Sequence, residues 1–380
     1  MTYKPVQFPR GQRDELLRAL RENVGQYFDE NGISPYGDHR MVLKTLAMVG
    51  MYFTPYALMV AGVISHPWAA LACWLIMGVG VAGIGMSVMH DANHGSYSAN
   101  PTVNRWVGYM LNLVGGLALN WKIQHNKLHH SFTNIEGHDE DIAPRVIMRF
   151  SPHDPRYGVH RFQHYYAWFF YGLMTLSWIT VKDFRQLIDY RNRGLLGKKT
   201  KQFPLLLAQT VLLKVAYFAY ALVIPLLTIN LPAWQIVGGF LLMHFTAGLI
   251  LGSVFQLAHV MPTSEYPQAN EDNQVSNQWA AHQLRTTTNF APDHKLLNWY
   301  VGGLNYQVEH HLFPNICHIH YPKIAPIVQR TAEAHGVPYH SVPTFGGALV
   351  YHADMLKRLG TEDFEAPAYP QEEPAKAMAS

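Results

Sequence analysis

Hydrophobic positions in this chain follow two patterns. Four stretches, roughly 43–64, 68–89, 205–229 and 234–258, are apolar almost without interruption. A hydrocarbon core of about 30 Å needs about 20 helical residues to cross, so each predicts a membrane-spanning helix. Elsewhere the apolar residues are periodic. Leu16, Leu17, Leu20, Val24, Tyr27 and Phe28 recur at helical spacing among Arg10, Arg13, Arg18 and Arg21. That pattern predicts an amphipathic helix, lying on a membrane surface or packed on the polar part of the protein. Residues 322–360 predict a helix near Lys323–His335, stopped by Gly336, and another near Phe345–Leu359. The tail from Thr361, rich in Glu, Pro and Ala, reads as disordered.

The connections between the spans set the topology. Ser65-His66-Pro67 alone joins the first pair, and Asn230-Leu-Pro-Ala233 joins the second. Both pairs are therefore tight hairpins, and neither link carries Lys or Arg. The other side is basic, with Lys182, Arg185, Arg191, Arg193, Lys198, Lys199 and Lys201 preceding the third span. The positive-inside rule places that side and both termini in the cytosol. Two shorter runs, 106–121 and 164–181, could be mistaken for spans. The second holds Tyr165, Tyr166, Trp168, Phe169, Phe170, Tyr171 and Trp178, which suits an interfacial helix. A crossing there would also put the last histidine cluster on the wrong side of the membrane from the first two.

Composition agrees. The chain is 49% hydrophobic and 14% charged, where soluble domains carry about 25% charged residues. Mean hydropathy is only −0.05, so a sizeable polar portion accompanies the spans. A net charge of +3 gives no reason to expect a nucleic-acid partner. No signal peptide is visible, and the two cysteines, Cys73 and Cys317, make no CxxC or disulfide framework.

Candidate chemistry lies in three histidine clusters, each just beyond an apolar segment: His90-Asp-Ala-Asn-His94, His125-Asn-Lys-Leu-His129-His130 and Gln307-Val-Glu-His310-His311. Residues three or four apart share a helical face. His90 therefore projects with His94, His125 with His129, and Gln307 with His310 and His311, while His130 stands about 100° round the axis from His129. Neutral imidazole is a common transition-metal ligand. Seven histidines exceed what one ion needs, which predicts two metals. The expected fold is an all-α membrane protein: four transmembrane helices in two hairpins, with a cytosolic helical cap holding a His-rich metal site. Residues 1–42 form an amphipathic N-terminal segment. Residues 43–345 form the main domain, its cap at 90–204 and 259–345, and residues 346–380 form a last helix and tail.

With HxxxH, HxxxHH and QxxHH boxes, two hairpins and this spacing, roughly residues 40–345 resemble the integral-membrane fatty acid desaturases. The Gln at the head of the third box resembles the front-end branch, which desaturates between an existing double bond and the carboxyl end. The runs Asn120-Trp-Lys-Ile-Gln-His125 and Asn305-Tyr-Gln-Val-Glu-His-His-Leu-Phe-Pro314 resemble bacterial acyl-CoA desaturases of the linoleoyl-CoA type. The resemblance implies a di-iron centre that uses O₂ to insert a cis double bond, since metals carry oxidations beyond acid–base side chains. It implies His90, His94, His125, His129, His130, His310 and His311 as ligands and catalytic residues, His259 at the end of the fourth span as a further one, and Gln307 as a weaker metal donor. It assigns no metal role to His318 or His320. Where the animal stearoyl-CoA branch has a water-holding Asn, this chain has Phe255, with Gln256 beside it. The chain lacks a His-Pro-Gly-Gly haem motif, so electrons are expected from a separate donor such as ferredoxin or cytochrome b5. The expected substrate is a fatty acyl chain on CoA or lipid, and the expected location is a bacterial inner membrane.

Other residues carry weaker expectations. Asp91, Glu309, Asp139 and Asp141, helped by Asn93, Asn126, Asn134 and Asn305, could accept the second ring N–H of the ligands. His138 reads as structural or as one of these supporting groups. Cys317 could ligate as a thiolate. Gly78, Gly80, Gly83 and Gly85 read as packing glycines. Lys214 and His244 lie within spans; snorkelling is the simplest reading of the first, an interhelical hydrogen bond of the second. A hydroxylase on the same scaffold is the alternative activity. A transporter fits less well, because the clusters follow the spans rather than sitting mid-membrane on broken helices.

Overall fold

The structure, a computed structural model, describes residues 3–9, 14–143 and 146–362. Four helices are long and apolar enough to cross a membrane: His39–Val60, Pro67–His94, Gly197–Thr228 and Ala233–His259. They are called spans one to four. Span one stops at Val60 rather than near residue 64, because Gly62 takes a left-handed φ of +75° and turns the chain. Pro67 then opens span two, where its missing N–H costs nothing.

Spans two and four form the centre, 61% and 56% buried, while spans one and three, 33% and 28% buried, flank them. The glycines of span two permit this approach. A Cβ on Gly78 would lie 2.6 Å from the Met243 carbonyl of span four, and one on Gly80 would lie 2.8 Å from Tyr52 N of span one. They are packing glycines, as expected.

The run 106–121 is broken into short helices, Pro101–Gly108, Met110–Leu113 and Ala118–Trp121, with Gly115 at φ +91° between the last two. The aromatic run 164–181 lies outside the four long helices. It forms Gln163–Gly172, Met174–Ser177 and a π-turn Trp178–Lys182, and Gly172 abuts Phe245 and Gly248 of span four.

The amphipathic helix forms over Glu15–Asn31. Its stripe of Leu16, Leu20, Val24 and Phe28 is buried against Ile324 and Val328 of helix Tyr321–Ala334 and against Leu284. Packing within the protein therefore accounts for its apolar face. Arg10 and Arg13 lie outside the described residues. The last helix, Phe345–Thr361, packs beside Gln163–Gly172, and the proposed disordered tail falls outside the described residues from Asp363 onward. Two short parallel strands, Thr288–Phe290 and His340–Val342, form the one sheet among the described residues.

Candidate metal centre

Each cluster reaches the site by a different backbone device. Span two breaks at Val88 and resumes as Met89–His94, which ends on Gly95 at φ +84°. His90 and His94 therefore share a face, with ring centroids 4.9 Å apart. The second cluster is not α-helical as expected. Lys122–His129 is a π-helix, closed by His130 N donating to His125 O at 3.0 Å. The wider turn brings residue i+5 back over residue i. His130 is thus not turned away from the group: its Nε2 lies 3.1 Å from that of His125. The third cluster is a short helix, Gln307–Leu312, all buried.

Two groups of side chains result. His90, His94, His125 and His310 bring their ligand atoms within 4.8 Å of one another, as do His129, His259 and His311. In the first group the Nε2 atoms of His90 and His125 are 3.0 Å apart, and those of His125 and His310 are 3.4 Å apart. His130 joins the groups. Its Nε2 is 2.9 Å from that of His310, and its ring stacks on His311 with centroids 4.3 Å apart.

The Nε2 atoms of His94, His259 and His311 are buried without any hydrogen-bond partner. An orphaned polar atom is costly, and a set of convergent imidazole nitrogens is what a borderline transition metal such as iron accepts. The donor set therefore fits a metal centre. Burial, with neighbouring imidazoles adding to it, pushes His125, His130, His310 and His311 well below the ordinary histidine range, leaving them neutral with lone pairs free. Burial also opposes protonation of His129, but Asp139 and Asp141 together outweigh it and raise the group to about 9. A metal cation would displace that proton.

Supporting groups fix the rings. His129 Nδ1–H donates to Asp139 at 3.1 Å, and Asp139 in turn accepts from the backbone N–H of Asn134 and of Asp141, each at 2.9 Å. Asp141 lies 3.3 Å from the same Nδ1. His259 Nδ1–H donates to the Thr286 carbonyl at 3.3 Å, and His311 Nδ1–H to Gln283 Oε1 at 2.8 Å. Each bond leaves Nε2 facing the group. Gln283 and Thr286, on helix Trp279–Thr286, belong to no motif, and only a tertiary contact reveals them.

Asp91 and Glu309 do not touch a ring of either group, contrary to expectation. Asp91 accepts from His318 Nδ1–H at 2.7 Å and from Cys317 Sγ–H at 3.1 Å, and Lys44 Nζ donates to His318 Nε2 at 2.6 Å. Burial, with Asp91 beside it, keeps Cys317 a thiol, so it is a donor and not a thiolate ligand. His318 has no place in the two histidine groups but is fully buried in this network. Glu309 accepts from Asn289 and Tyr339, each at 2.8 Å, and so ties the third cluster to the strand pair. The asparagines brace backbone: Asn126 donates to Asn93 O, Asn134 to His259 O and Asn305 to Ala291 O. Asn93 approaches the Gly108 carbonyl at 3.4 Å. His138 bonds Lys4 O away from the groups and is structural.

A cavity of about 430 Å³ opens beside the first group. His125, Trp121 and Phe255 line it, with Met148, Phe170 and Met174. Phe255 presents a ring within 6.4 Å of those of His90 and His125. Gln256 also lines the cavity but points its amide N–H at Asp141 O. A larger apolar cavity of about 550 Å³, between span four and Phe345, touches none of the histidines.

Four long apolar helices, with buried histidine groups gathered at the ends of spans two and four, define the scaffold of a membrane-bound metalloprotein, and the sequence of the whole chain says which. A model of the fatty acid desaturase family matches residues 65–343, and the chain belongs to that family. It is 35% identical to the sn-1 linoleoyl-lipid 6-desaturase of Synechocystis sp., over 92% of this chain and 96% of the relative. It is 34% identical to the acyl-lipid (8-3)-desaturase of Physcomitrium patens, over 94% of this chain and 74% of the relative, and 29% identical to that of Mortierella alpina, over 90% and 77%.

Proposed function

We propose that this protein is a front-end acyl-lipid desaturase, which removes two hydrogens from a glycerolipid-bound acyl chain and leaves a cis double bond on the carboxyl side of an existing one. The cavity carries the reading: a mainly apolar space of about 430 Å³, within the ~300–1,000 Å³ usual for ligand sites, has His125 in its wall. The names of the relatives support the substrate class. Position 6 of a linoleoyl chain lies between its carboxyl end and its first double bond. They favour lipid over CoA as carrier.

In this reading His90, His94, His125 and His310 hold one iron, and His129, His259 and His311 hold the other. His130 lies between the groups, and Gln307 completes the set. Gln307 is buried, and its amide nitrogen has no partner. Amide oxygen and nitrogen are interchangeable in assignment, so a flipped amide would offer its carbonyl oxygen there. Two bound irons would supply O₂ activation, with electrons from a separate donor such as ferredoxin or cytochrome b5. The chain's own residues bind the acyl chain in the cavity, and burial keeps His125, His130, His310 and His311 neutral. Asp139, Gln283 and the Thr286 carbonyl orient three of the rings. The histidine side faces the cytosol of a bacterial inner membrane, where the basic segment before span three belongs.

The test is expression in cells fed 18:1, 18:2 and 18:3 acids, with new double bonds located by mass spectrometry of a derivative and followed by lipid class. A product that loses two hydrogens supports the reading. One that gains an oxygen would mark a hydroxylase and overturn it. Elemental analysis of protein from iron-replete cells should find about two metals per chain.

A further inference from the structure

Two ionisable side chains inside the spans play no part in the metal centre. Lys214, on span three, does not snorkel. Its Nζ donates to Asp183 Oδ2 at 2.5 Å, to the Gly115 carbonyl at 2.6 Å and to the Trp178 carbonyl at 3.0 Å. The ion pair is buried, with side chains 8% and 2% exposed. His244, on span four, bonds Thr175 Oγ1 at 3.1 Å through Nδ1 and the Tyr217 hydroxyl at 2.7 Å through Nε2, and Thr175 Oγ1–H donates to the His244 carbonyl at 2.7 Å. A third contact of the same kind lies one turn earlier. Tyr171 OH bonds His352 Nε2 at 2.8 Å, and His352 Nδ1–H donates to Val260 O at 2.8 Å.

The three polar clamps meet the segment Gln163–Lys182 at Tyr171, at Thr175 and, through the Trp178 carbonyl and the adjoining Asp183, at its end. That segment also forms a wall of the cavity, through Phe170, Met174, Ser177 and Trp178 among others. It is not stiff by itself, since its α-helix is interrupted at Leu173 and gives way to a π-turn at Trp178. Apolar packing would hold such a segment on the spans at least as well, because replacing a buried ion pair with hydrophobic residues is often neutral or stabilising. Hydrogen bonds differ in fixing register, which a greasy contact free to slide does not. Ionisable groups at membrane depth are expensive and tend to serve function.

We propose that Lys214 with Asp183, and His244 with Thr175, are positioning residues that hold the cavity wall in register and so set which carbon of the acyl chain lies against the histidines. The proposal rests on reading the cavity as the acyl site. Loosening a clamp should let the chain slip by a carbon or two, which changes the position of the double bond and not only its yield.

The experiment measures the ratio of positional isomers, by mass spectrometry of derivatised products, for the full-length protein in membranes. The variants are Lys214→Met, Thr175→Val, which removes the hydroxyl at nearly constant volume, and Thr175→Ser, which keeps it. Metal content per chain is measured in parallel. Lys214→Met and Thr175→Val should raise the fraction of displaced isomers roughly tenfold, about 1.4 kcal/mol of lost discrimination, with metal content unchanged. Thr175→Ser should keep the wild-type ratio. If Lys214→Met does not accumulate, the two Thr175 variants decide. A wild-type isomer ratio in Thr175→Val, at any yield, would overturn the proposal, because a merely structural clamp lowers yield alone. A wild type that introduces no double bond at all would instead sink the acyl reading of the cavity.

Discussion

His129, His259 and His311 each place a ring nitrogen on a fixed acceptor: Asp139, the Thr286 carbonyl and Gln283. In the neighbouring group His90 leaves Nδ1 buried with no partner, as does His130 between the groups, and His310 has only a 3.4 Å contact with the Tyr321 hydroxyl. The protein frame thus aims the rings of the second group with hydrogen bonds, while those of the first are held by ring packing, on one another and on Trp121, which stacks on His125 with centroids 4.4 Å apart. Supporting hydrogen bonds fix tautomer and orientation and raise ligand basicity. The second group should therefore be preorganised for metal, and the first should depend more on the metal for its shape.

The largest expected effect treats both groups alike. His94→Ala, His129→Ala and His310→Ala should each lower desaturation by at least about 10²-fold, since losing supporting partners alone can cost that much. The protein should still reach the membrane fraction, because helical spans satisfy their backbone without metal. Product yield at matched membrane level checks this, and retained activity in any of the three would remove that residue from the site.

The comparison itself turns on the supporting groups. Asp139→Asn should cost roughly 10–100-fold in activity or metal affinity, whereas Tyr321→Phe should cost little. Metal retention under a chelator titration reads the difference directly. Equal losses in the two variants would mean that the frame does not distinguish the groups.

Gln307 lies between these extremes. Gln307→His should keep metal content at lower turnover, while Gln307→Ala should lose more if the side chain fills a coordination position. Product yield for the three proteins checks the order; an alanine variant matching wild type would make Gln307 a plain helix residue.

The smallest effect concerns acid. His282 ties the two segments that frame the second group, through Nε2–H to the Thr133 carbonyl at 2.9 Å, and burial lowers its pKa from 6.5 to about 4. The unfolded chain therefore binds the proton first. Stability from this residue is complete above pH 6.5 and is lost as pH falls toward 4, at up to about 1.4 kcal/mol per pH unit. Thermal melting of detergent-solubilised protein at several pH values should show the decline, and His282→Gln should make it shallower by one residue's share, because other buried histidines are shifted the same way. An unchanged slope would exclude His282 as a source.

Much of this was legible along the chain. Apolar length marked the spans, because a bilayer demands about 20 residues whatever their neighbours. Histidine spacing marked most of the residues that converge in the two groups, because helical periodicity is local. The sequence could not reveal that the second box is a π-helix, since a single extra residue in a turn leaves no mark on composition. Nor could it separate Asp139, which meets a ligand ring, from Asp91 and Glu309, which meet His318 and Asn289 instead. Asp91 and Glu309 lie inside a histidine box and Asp139 nine residues past one, so sequence position would favour the wrong two; the difference is a matter of which chain segment packs alongside.

What the sequence by itself determined was the four apolar spans, the candidate histidine donors and the family, all set by residue type and short-range period. Tertiary structure alone decided how those donors divide into two groups, that Lys214 turns inward to Asp183, and that Gln283 and Thr286 orient the rings. Those outcomes depend on contacts between segments tens to hundreds of residues apart, where burial leaves a charge or an imidazole N–H no water and forces it onto whichever partner the fold brings near.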